Sequence, residues 1–562
     1  MPVSKPFFTI LSHYFSTTTA TTTTRVQKLP SLSKIHIKYK SQAIQQAQKA
    51  LTEYLHTTRS LPFTYAEHIA KNSLFSLSTL IKKIDFSVST FSRNFTKLLR
   101  YHPINEFEFF FESIGIDYSE VPGFLPPNKF FFSEDGTVLN AACALSGFGF
   151  PWNMLGKLYR EDVLIFSKSS AELTARLSQF KEHGFSNLSV VSLCLAFPHL
   201  LSGEGELGGY IEALFDDFKM VLIEFNLGSC VEGNVDACYE VCRKMRVFYD
   251  LGCEKGKVGE LMSRKKNLFL QCPPEVLVQK ADYFSKFGTE KGEVALLLLQ
   301  SPEILNIDLE TPVISVLGFL KHFGLSKGKL ESVRQQYPHV LGRNKMANLP
   351  HLMRALDLHD CLFKRIMSSH ELLATYAISN PIEDMDKEYL NGLERIQSSR
   401  TPMHTMNKLN FMHGIGFGEN ALTIKVLSHL HGSSSELQAR FDFLLNRGIK
   451  FSKLCKMMRM TPKILSQNPE SLEQKVNFLC QDMGSSLQYL DIFPAFLCFD
   501  LENRIKPRYR FHVWLTESGL CAKGYSIASL IATSEKSFVT RLYGIHPAVP
   551  KRWLECFSFK SY

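Results

Sequence analysis

The feature that most constrains the fold is a pair of landmarks that recurs along the chain. A phrase ending in glycine is followed by proline fourteen residues later in four places: Gly184 and Pro198, Gly288 and Pro302, Gly324 and Pro338, Gly448 and Pro462. A shortened copy has Pro494 ten residues after Gly484. After each proline come one variable residue and two apolar residues, as in "PEIL" at 302–305.

This spacing predicts a repeated helix–helix–turn unit. Glycine is the usual residue just after a helix C-terminus, so a first helix ends there and a second of about ten residues follows. Proline has no amide donor and moves its predecessor out of the α region, so the second helix must stop. Because proline suits the first position of a new turn, each proline predicts a short 3₁₀ turn with its apolar pair inward.

Weaker copies extend the array. Fourteen residues after Gly252 stands Lys266, and fourteen after Gly147 stands Glu161; both copies keep the apolar pair and lack the proline. A further degenerate copy is expected near His370. One such unit cannot bury its own apolar face, so neighbours must stack. Since apolar spacing is helical throughout, the sequence predicts an all-α solenoid of 32–36-residue repeats.

Charge is unevenly distributed along the chain. Residues 1–60 hold eight Lys/Arg against one acid, and residues 440–562 hold eighteen against ten, whereas the middle is acidic. The Ser/Thr-rich leader has no acidic residue before Glu53, which is typical of an organelle transit peptide. A plain disordered tail is the alternative. The leader predicts a mitochondrial protein, with the chloroplast as the alternative.

Other composition features exclude several classes of protein. The longest apolar runs, such as Val190–Phe197, are too short to cross a membrane, so a soluble chain is predicted. The thirteen cysteines are scattered without a CxxC motif and are interpreted as buried reduced thiols. "GIGFGEN" (414–420) follows no strand and is predicted to be a loop, and "LHDC" (358–361) a surface helix. Neither an enzyme nor any catalytic residue, metal ligand or cofactor is predicted.

Two basic clusters in the C-terminal part are candidate phosphate contacts. In the first, Lys453, Lys456 and Arg459 share one helix face opposite Leu454 and Met458. A solvated helix face is the alternative for either cluster. The candidate nucleic-acid-binding residues are Arg447, Lys450, Lys453, Lys456, Arg459, Lys463, Arg504, Lys506, Arg508 and Arg510.

The repeat resembles that of the mitochondrial transcription termination factor (mTERF) family. "FPAFLCFDLENRIKPRYRFHVWL" (493–515) is similar to that family's C-terminal segment, and "IATSEKSFVTRL" (531–542) to its closing repeat. The leader and "YLHTTRSLPFTYAEHIAKNS" (54–73) look like those of a plant organellar member. The resemblance implies a curved superhelix that binds duplex DNA or structured RNA and serves organellar transcription, its termination, or RNA processing.

The predicted organisation has four parts. These are a leader at 1–50, a helical extension at 51–90, repeats at 91–545, and a tail at 546–562. The acidic, Gly-rich segment 203–240 and the segment 380–410 fit the repeat poorly. The predicted partners are organellar DNA or structured RNA and other organellar gene-expression proteins, with no membrane, for a monomeric chain. An α-solenoid scaffold for protein partners, without direct nucleic-acid binding, is the alternative function.

Overall fold

The computed structural model describes Leu32 and residues 35–203, 209–225, 235–378, 386–520 and 526–557. The chain divides into two compact units, Met1–Leu277 and Val278–Tyr562. Most of the predicted leader, and parts of the two poorly fitting segments and of the tail, lie outside the described residues.

Helices dominate both units. Up to the division, the α-helices are Ile37–Glu53, Phe63–Asn72, Leu74–Ile81, Phe91–Tyr101, Glu106–Ser113, Thr137–Phe148, Leu155–Glu161, Ser170–Glu182, Asn187–Ala196, His199–Ser202, Gly209–Glu224, Val235–Asp250, Val258–Arg264 and Lys266–Gln271. The helix Pro274–Ser285 includes residues on both sides of the division. After it they are Lys291–Gln300, Val316–His322, Lys327–Gln336, Leu349–Ala355, His359–Ser368, His370–Ile378, Lys387–Gln397, Pro402–Gly414, Ala421–Leu427, Ser434–Asn446, Phe451–Met460, Pro469–Asn477, Tyr489–Ile492, Lys506–Glu517, Ile527–Ala532, Glu535–Ile545 and Val549–Cys556.

Short 3₁₀ and π segments and one small sheet complete the described structure. The 3₁₀ segments are Val121–Gly123, Trp152–Met154, Val163–Ser167, Pro302–Asn306, Met346–Asn348, Pro462–Ser466 and Pro494–Cys498. The π segments are Tyr54–Thr58, Phe478–Asp482 and Leu501–Ile505. Strands Val313–Ser315 and Arg343–Lys345 pair antiparallel. Apart from this ladder the all-α repeat prediction is confirmed.

The glycine and proline landmarks have the predicted backbone roles. All four glycines of the complete copies adopt positive φ, between +77° and +93°, two or three residues after the end of a first helix. The second helices that follow, Asn187–Ala196, Lys291–Gln300, Lys327–Gln336 and Phe451–Met460, have ten residues each. Pro302, Pro462 and Pro494 each begin a 3₁₀ turn, Pro198 precedes a short helix, and Pro338 begins a hydrogen-bonded turn.

The register of one weaker copy differs from the prediction by two residues. Gly147 lies inside the helix Thr137–Phe148, and the residue with positive φ is Gly149 (+126°). Fourteen residues after Gly149 stands Val163, which begins a 3₁₀ turn, so the spacing holds once the register moves by two residues. In the apolar run of the helix Lys291–Gln300, Leu296 is 39% exposed, whereas Leu297 and Leu298 are buried.

The ends of the chain are more helical than predicted. The helix Ile37–Glu53 begins inside the segment assigned to the leader and buries Ala43 and Ala47 completely. The helix Val549–Cys556 lies within the predicted tail, and its Trp553 packs into a core cluster with Phe511 and Phe538. Sequence alone missed these helices because neither carries the glycine–proline landmark.

A third landmark, which the sequence analysis missed, is a basic residue in the middle of the first helix. Its side chain donates to a carbonyl in or just after the unit's terminal turn, where helical carbonyls lack partners. In four units it stands eight residues before the glycine. The pairs are Arg176 with Leu200 O, Lys244 with Phe269 O, Lys280 with Ile307 O, Arg440 with Leu465 O, Lys475 with Leu497 O, and Arg508 with Leu530 O. We call these six the stapling cations.

Replacing Pro302 by alanine is expected to loosen one repeat boundary. Proline at the first turn position restricts the unfolded chain, so its loss is expected to cost about 1 kcal/mol of the free energy of unfolding. Hydrogen exchange is expected to rise in the helix Lys291–Gln300 and to stay unchanged in the distant helix Phe451–Met460. Equal exchange in the first helix before and after the substitution would contradict this role for Pro302.

Candidate nucleic-acid interface

The first basic cluster is carried by the helix Phe451–Met460. The helix starts after Lys450 and ends at Thr461, because Pro462 cannot continue it. Leu454 and Met458 are fully buried, as the sequence predicted. Their burial holds the opposite face outward. On that face Lys453, Lys456 and Arg459 are half-buried, and Lys450 and Lys463 are exposed at the two ends.

Three cations of this cluster have partners within the protein. Arg447 forms an ion pair with Glu473, and Lys453 forms one with Asp491. The Lys456 ammonium lies 4.6 Å from the centre of the Tyr337 ring. Among the described residues, no carboxylate lies within ion-pair distance of Lys450, Arg459 or Lys463. These three carry the unneutralised charge of the cluster.

The second basic cluster, in "RIKPRYR", is largely structural. Arg508 is 2% exposed and donates to the oxygens of Leu530, Ile531 and Thr533, at 2.6–3.2 Å, and to Glu535. This placement corrects the prediction for Arg508, since its guanidinium is saturated inside the protein.

Of the other three cations in this cluster, two have partners within the protein and one does not. Arg504 donates to the carbonyls of residues 531–533, which also corrects its predicted role. Burial lowers the pKa of Arg504. Lys506 pairs with Glu502, and only Arg510 is exposed. The charges of Arg504, Lys506 and Arg508 are therefore stabilised by backbone carbonyls and acidic neighbours.

A buried histidine lies behind the first cluster. His339 has no exposed surface, its ring lies 4.9 Å from the Phe417 ring, and neither ring nitrogen has a hydrogen-bond partner among the described residues. Burial, with the nearby charges of Arg459 and Lys456, lowers the pKa of His339 to about 3. The imidazole is therefore neutral at physiological pH and adds no charge to the interface.

The glycine-rich loop 414–420 is a packing element. The Gly418 amide donates to His339 O (3.0 Å), and the Glu419 amide donates to Arg343 O (2.9 Å). The Asn344 side chain donates to Phe417 O at 2.9 Å. Close backbone approach, rather than phosphate binding, explains Gly416 and Gly418. Residues 415–420 form a loop as predicted, and Gly414 ends the preceding helix.

The described residues offer no assembled metal site: no group of three His, Cys, Asp or Glu side chains is placed to hold a metal ion. In "LHDC", the distance between His359 Nε2 and Asp360 Oδ1 is 3.4 Å, and both residues lie at the start of the helix His359–Ser368. None of the eleven described cysteines forms a disulfide, and Cys361, Cys480 and Cys556 are exposed rather than buried as predicted. Within the same residues, no helix is both long and apolar enough to cross a membrane.

Comparison with known proteins agrees with this architecture. The family model described as mTERF matches residues 236–361 and 405–539. A protein of Arabidopsis thaliana named "Transcription termination factor MTEF18, mitochondrial" is 56% identical over 555 residues, 99% of this chain and 98% of the relative. Shorter matches, each over 18% of this chain, include "Transcription termination factor MTERF8, chloroplastic" (33% identical, 21% of the relative) and "Transcription termination factor MTERF15, mitochondrial" (28%, 23%), both of Arabidopsis thaliana.

Proposed function

Because the chain belongs to the mTERF family, we propose that it binds mitochondrial nucleic acid and acts in transcription or its termination. The near-full-length relative carries both the mitochondrial localisation and the termination function in its name. The localisation agrees with the transit-peptide composition of the leader. RNA processing is the second role that the sequence left open.

The observation that carries the proposal is the unneutralised charge on and beside the helix Phe451–Met460. Lys450, Arg459 and Lys463 lie at or near the ends of a helix whose opposite face is buried, so their positions are fixed by the core. Cations that reach the surface without acidic partners attract polyanions and release counterions when they contact phosphates. Apart from the exposed Arg510, the other cations of the two clusters are already engaged with carboxylates, a tyrosine ring or carbonyls.

Removing these three charges is expected to weaken nucleic-acid binding without unfolding the protein. For the triple variant Lys450→Gln, Arg459→Gln, Lys463→Gln, affinity for a short mixed-sequence DNA duplex is expected to fall roughly tenfold to a hundredfold. The slope of log affinity against log salt is expected to shrink by about 3, since each duplex phosphate contact contributes about 0.9. Fluorescence anisotropy over a salt series measures both quantities.

A matched control removes three exposed cations elsewhere. Lys387, Arg395 and Arg400 are exposed and lie outside the part of the chain that the family model matches. Their replacement by glutamine changes the net charge equally and is expected to leave the slope nearly unchanged. Equal losses in both triple variants would mean that net charge alone drives binding and would refute this interface.

The cellular role is tested by crosslinking the tagged chain in isolated mitochondria and sequencing what is bound. Enriched DNA or RNA sites that disappear with the Lys450, Arg459 and Lys463 variant support the proposal. Recovery of protein partners with no nucleic acid above a tag-only control would overturn it in favour of a protein-binding scaffold.

A further inference from the structure

The N-terminal unit presents a second basic face, on the helix Phe91–Tyr101. Its inner side is held in the core by Phe91, Phe95 and Leu99, each at most 2% exposed. Phe86, just before the helix, lies 5.3 Å from the Phe91 ring and 6.0 Å from the Tyr39 ring. The helix is therefore anchored on the helix Ile37–Glu53, and its outer side has a defined orientation.

The outer side carries three cations and an aromatic ring. Arg93, Lys97 and Arg100 are all exposed, at helical spacings of four and three residues that place them on one face. Tyr101 follows Lys97 by four residues and is 77% exposed. At 1.5 Å per residue the cations span about 10 Å along the helix.

These charges are not balanced locally. Residues 37–104 hold ten Lys/Arg and three Asp/Glu, and one of those acids, Glu67, already pairs with Lys71. Among the described residues, no ion pair involves Arg93, Lys97 or Arg100. The C-terminal clusters differ, because six of their ten cations have carboxylate, tyrosine-ring or carbonyl partners within the protein. A helix face that contacts only solvent normally carries both basic and acidic side chains.

The combination points to single-stranded nucleic acid. Duplexes bury their bases in the stack, whereas single strands offer bases that stack on exposed aromatic side chains while cations track the phosphates. A tyrosine with three-quarters of its surface exposed, at the end of a row of cations, provides both contacts. Residues 91–101 also lie well before the part of the chain that the family model matches, which begins at residue 236.

We infer that the outer face of the helix Phe91–Tyr101 binds a single-stranded segment of nucleic acid. Arg93, Lys97 and Arg100 contact successive phosphates, and Tyr101 stacks on a base. This site is separate from the proposed C-terminal interface and adds a strand-binding activity to the N-terminal unit.

The test uses the full chain with a labelled oligouridylate and with the DNA duplex described above. The triple variant Arg93→Gln, Lys97→Gln, Arg100→Gln is expected to reduce the single-strand salt slope by about 2, since each such contact contributes about 0.7. Tyr101→Ala is expected to weaken single-strand binding about tenfold with the slope unchanged, since stacking releases no counterions. Duplex affinity is expected to stay within about threefold in both variants.

The Lys387, Arg395 and Arg400 control variant separates this site from a general charge effect. Single-strand binding that is absent from the wild type, or lost equally in the control and the Arg93, Lys97 and Arg100 variant, would overturn the inference and leave the C-terminal proposal standing. Cosedimentation with phosphatidylcholine–phosphatidylglycerol vesicles is a further arm. Vesicle binding that depends on the three cations, with oligouridylate binding unaffected, would assign the face to a membrane surface and also overturn it.

Discussion

Replacement of Arg508 by glutamine is expected to lower the free energy of unfolding by about 3 kcal/mol, which is the usual cost of removing one partner from a buried charged network. The Arg508 guanidinium donates to three carbonyls and Glu535 and lies 4.5 Å from the Phe538 ring. Without it the Leu530 carbonyl loses its side-chain donor, and the Ile531 and Thr533 carbonyls keep only the bonds from Arg504. Chemical unfolding, with hydrogen exchange of that helix, measures the effect.

Arg510 provides the matched control on the same helix. It stands two residues further on and is exposed, so Arg510→Gln is expected to change the free energy of unfolding by less than about 0.5 kcal/mol. A stable Arg508→Gln protein that has lost nucleic-acid binding would show that the arginine acts at the surface, against its observed burial.

The repeat could be predicted from sequence because its landmarks act through local backbone chemistry. Positive φ at Gly184 or Gly288 requires no knowledge of the neighbours, and neither does the missing amide of Pro302. The same landmarks gave the lengths of the second helices. The register error at Gly147 arose because two glycines, at 147 and 149, compete for one position, and only the helix length decides between them.

The candidate interface was less predictable, because the identity of a lysine or arginine does not reveal whether its side chain contacts phosphate or the protein's own backbone. Arg504 and Arg508 were assigned to nucleic acid from charge density, yet both satisfy carbonyls of the following turn. A sequence signal for stapling did exist: Arg176, Lys244, Lys280 and Arg440 each stand eight residues before the repeat glycine. That spacing identifies four of the six stapling cations. Lys475 and Arg508 stand nine and eleven residues before Gly484 and Gly519, so the spacing does not identify Arg508 as structural.

The cations of this chain therefore fall into two populations with different consequences for mutation. The stapling cations lie under the turns, and burial lowers the pKa of Lys244 to about 8 and lowers that of Lys475. Their loss is expected to appear as instability. The exposed cations, such as Lys450 and Arg93, touch little protein, so their loss is expected to appear in affinity and salt dependence alone.

In the glycine-rich loop, neither periodicity nor motif spacing predicts why glycine is required at position 418. A Cβ on Gly418 would lie 2.6 Å from Val340 O and closer still to Leu341 O. Both oxygens belong to the segment between His339 and the strand Arg343–Lys345. This segment is held against the loop by the hydrogen bonds from the Gly418 and Glu419 amides. The requirement for glycine comes from a segment about eighty residues away in sequence, which no local pattern reveals.

Gly418→Ala is accordingly expected to destabilise the C-terminal unit by about 3 kcal/mol, since backbone atoms on both sides must shift to admit the methyl group. Hydrogen exchange is expected to rise in the strand Arg343–Lys345 and in the loop together, because the two segments are hydrogen-bonded to each other. Thermal unfolding and exchange mass spectrometry measure the two effects.

Gly414, four residues earlier, is the control for this substitution. It ends the helix Pro402–Gly414, and a Cβ there would meet nothing within 4 Å. Alanine at 414 is therefore expected to leave stability unchanged or to raise it by up to about 1 kcal/mol through its helix propensity. Should Gly418→Ala prove as stable as Gly414→Ala while nucleic-acid binding falls, the loop would be a ligand-binding element. The close backbone packing of residues 339–345 against 415–420 would then not be what requires its glycines.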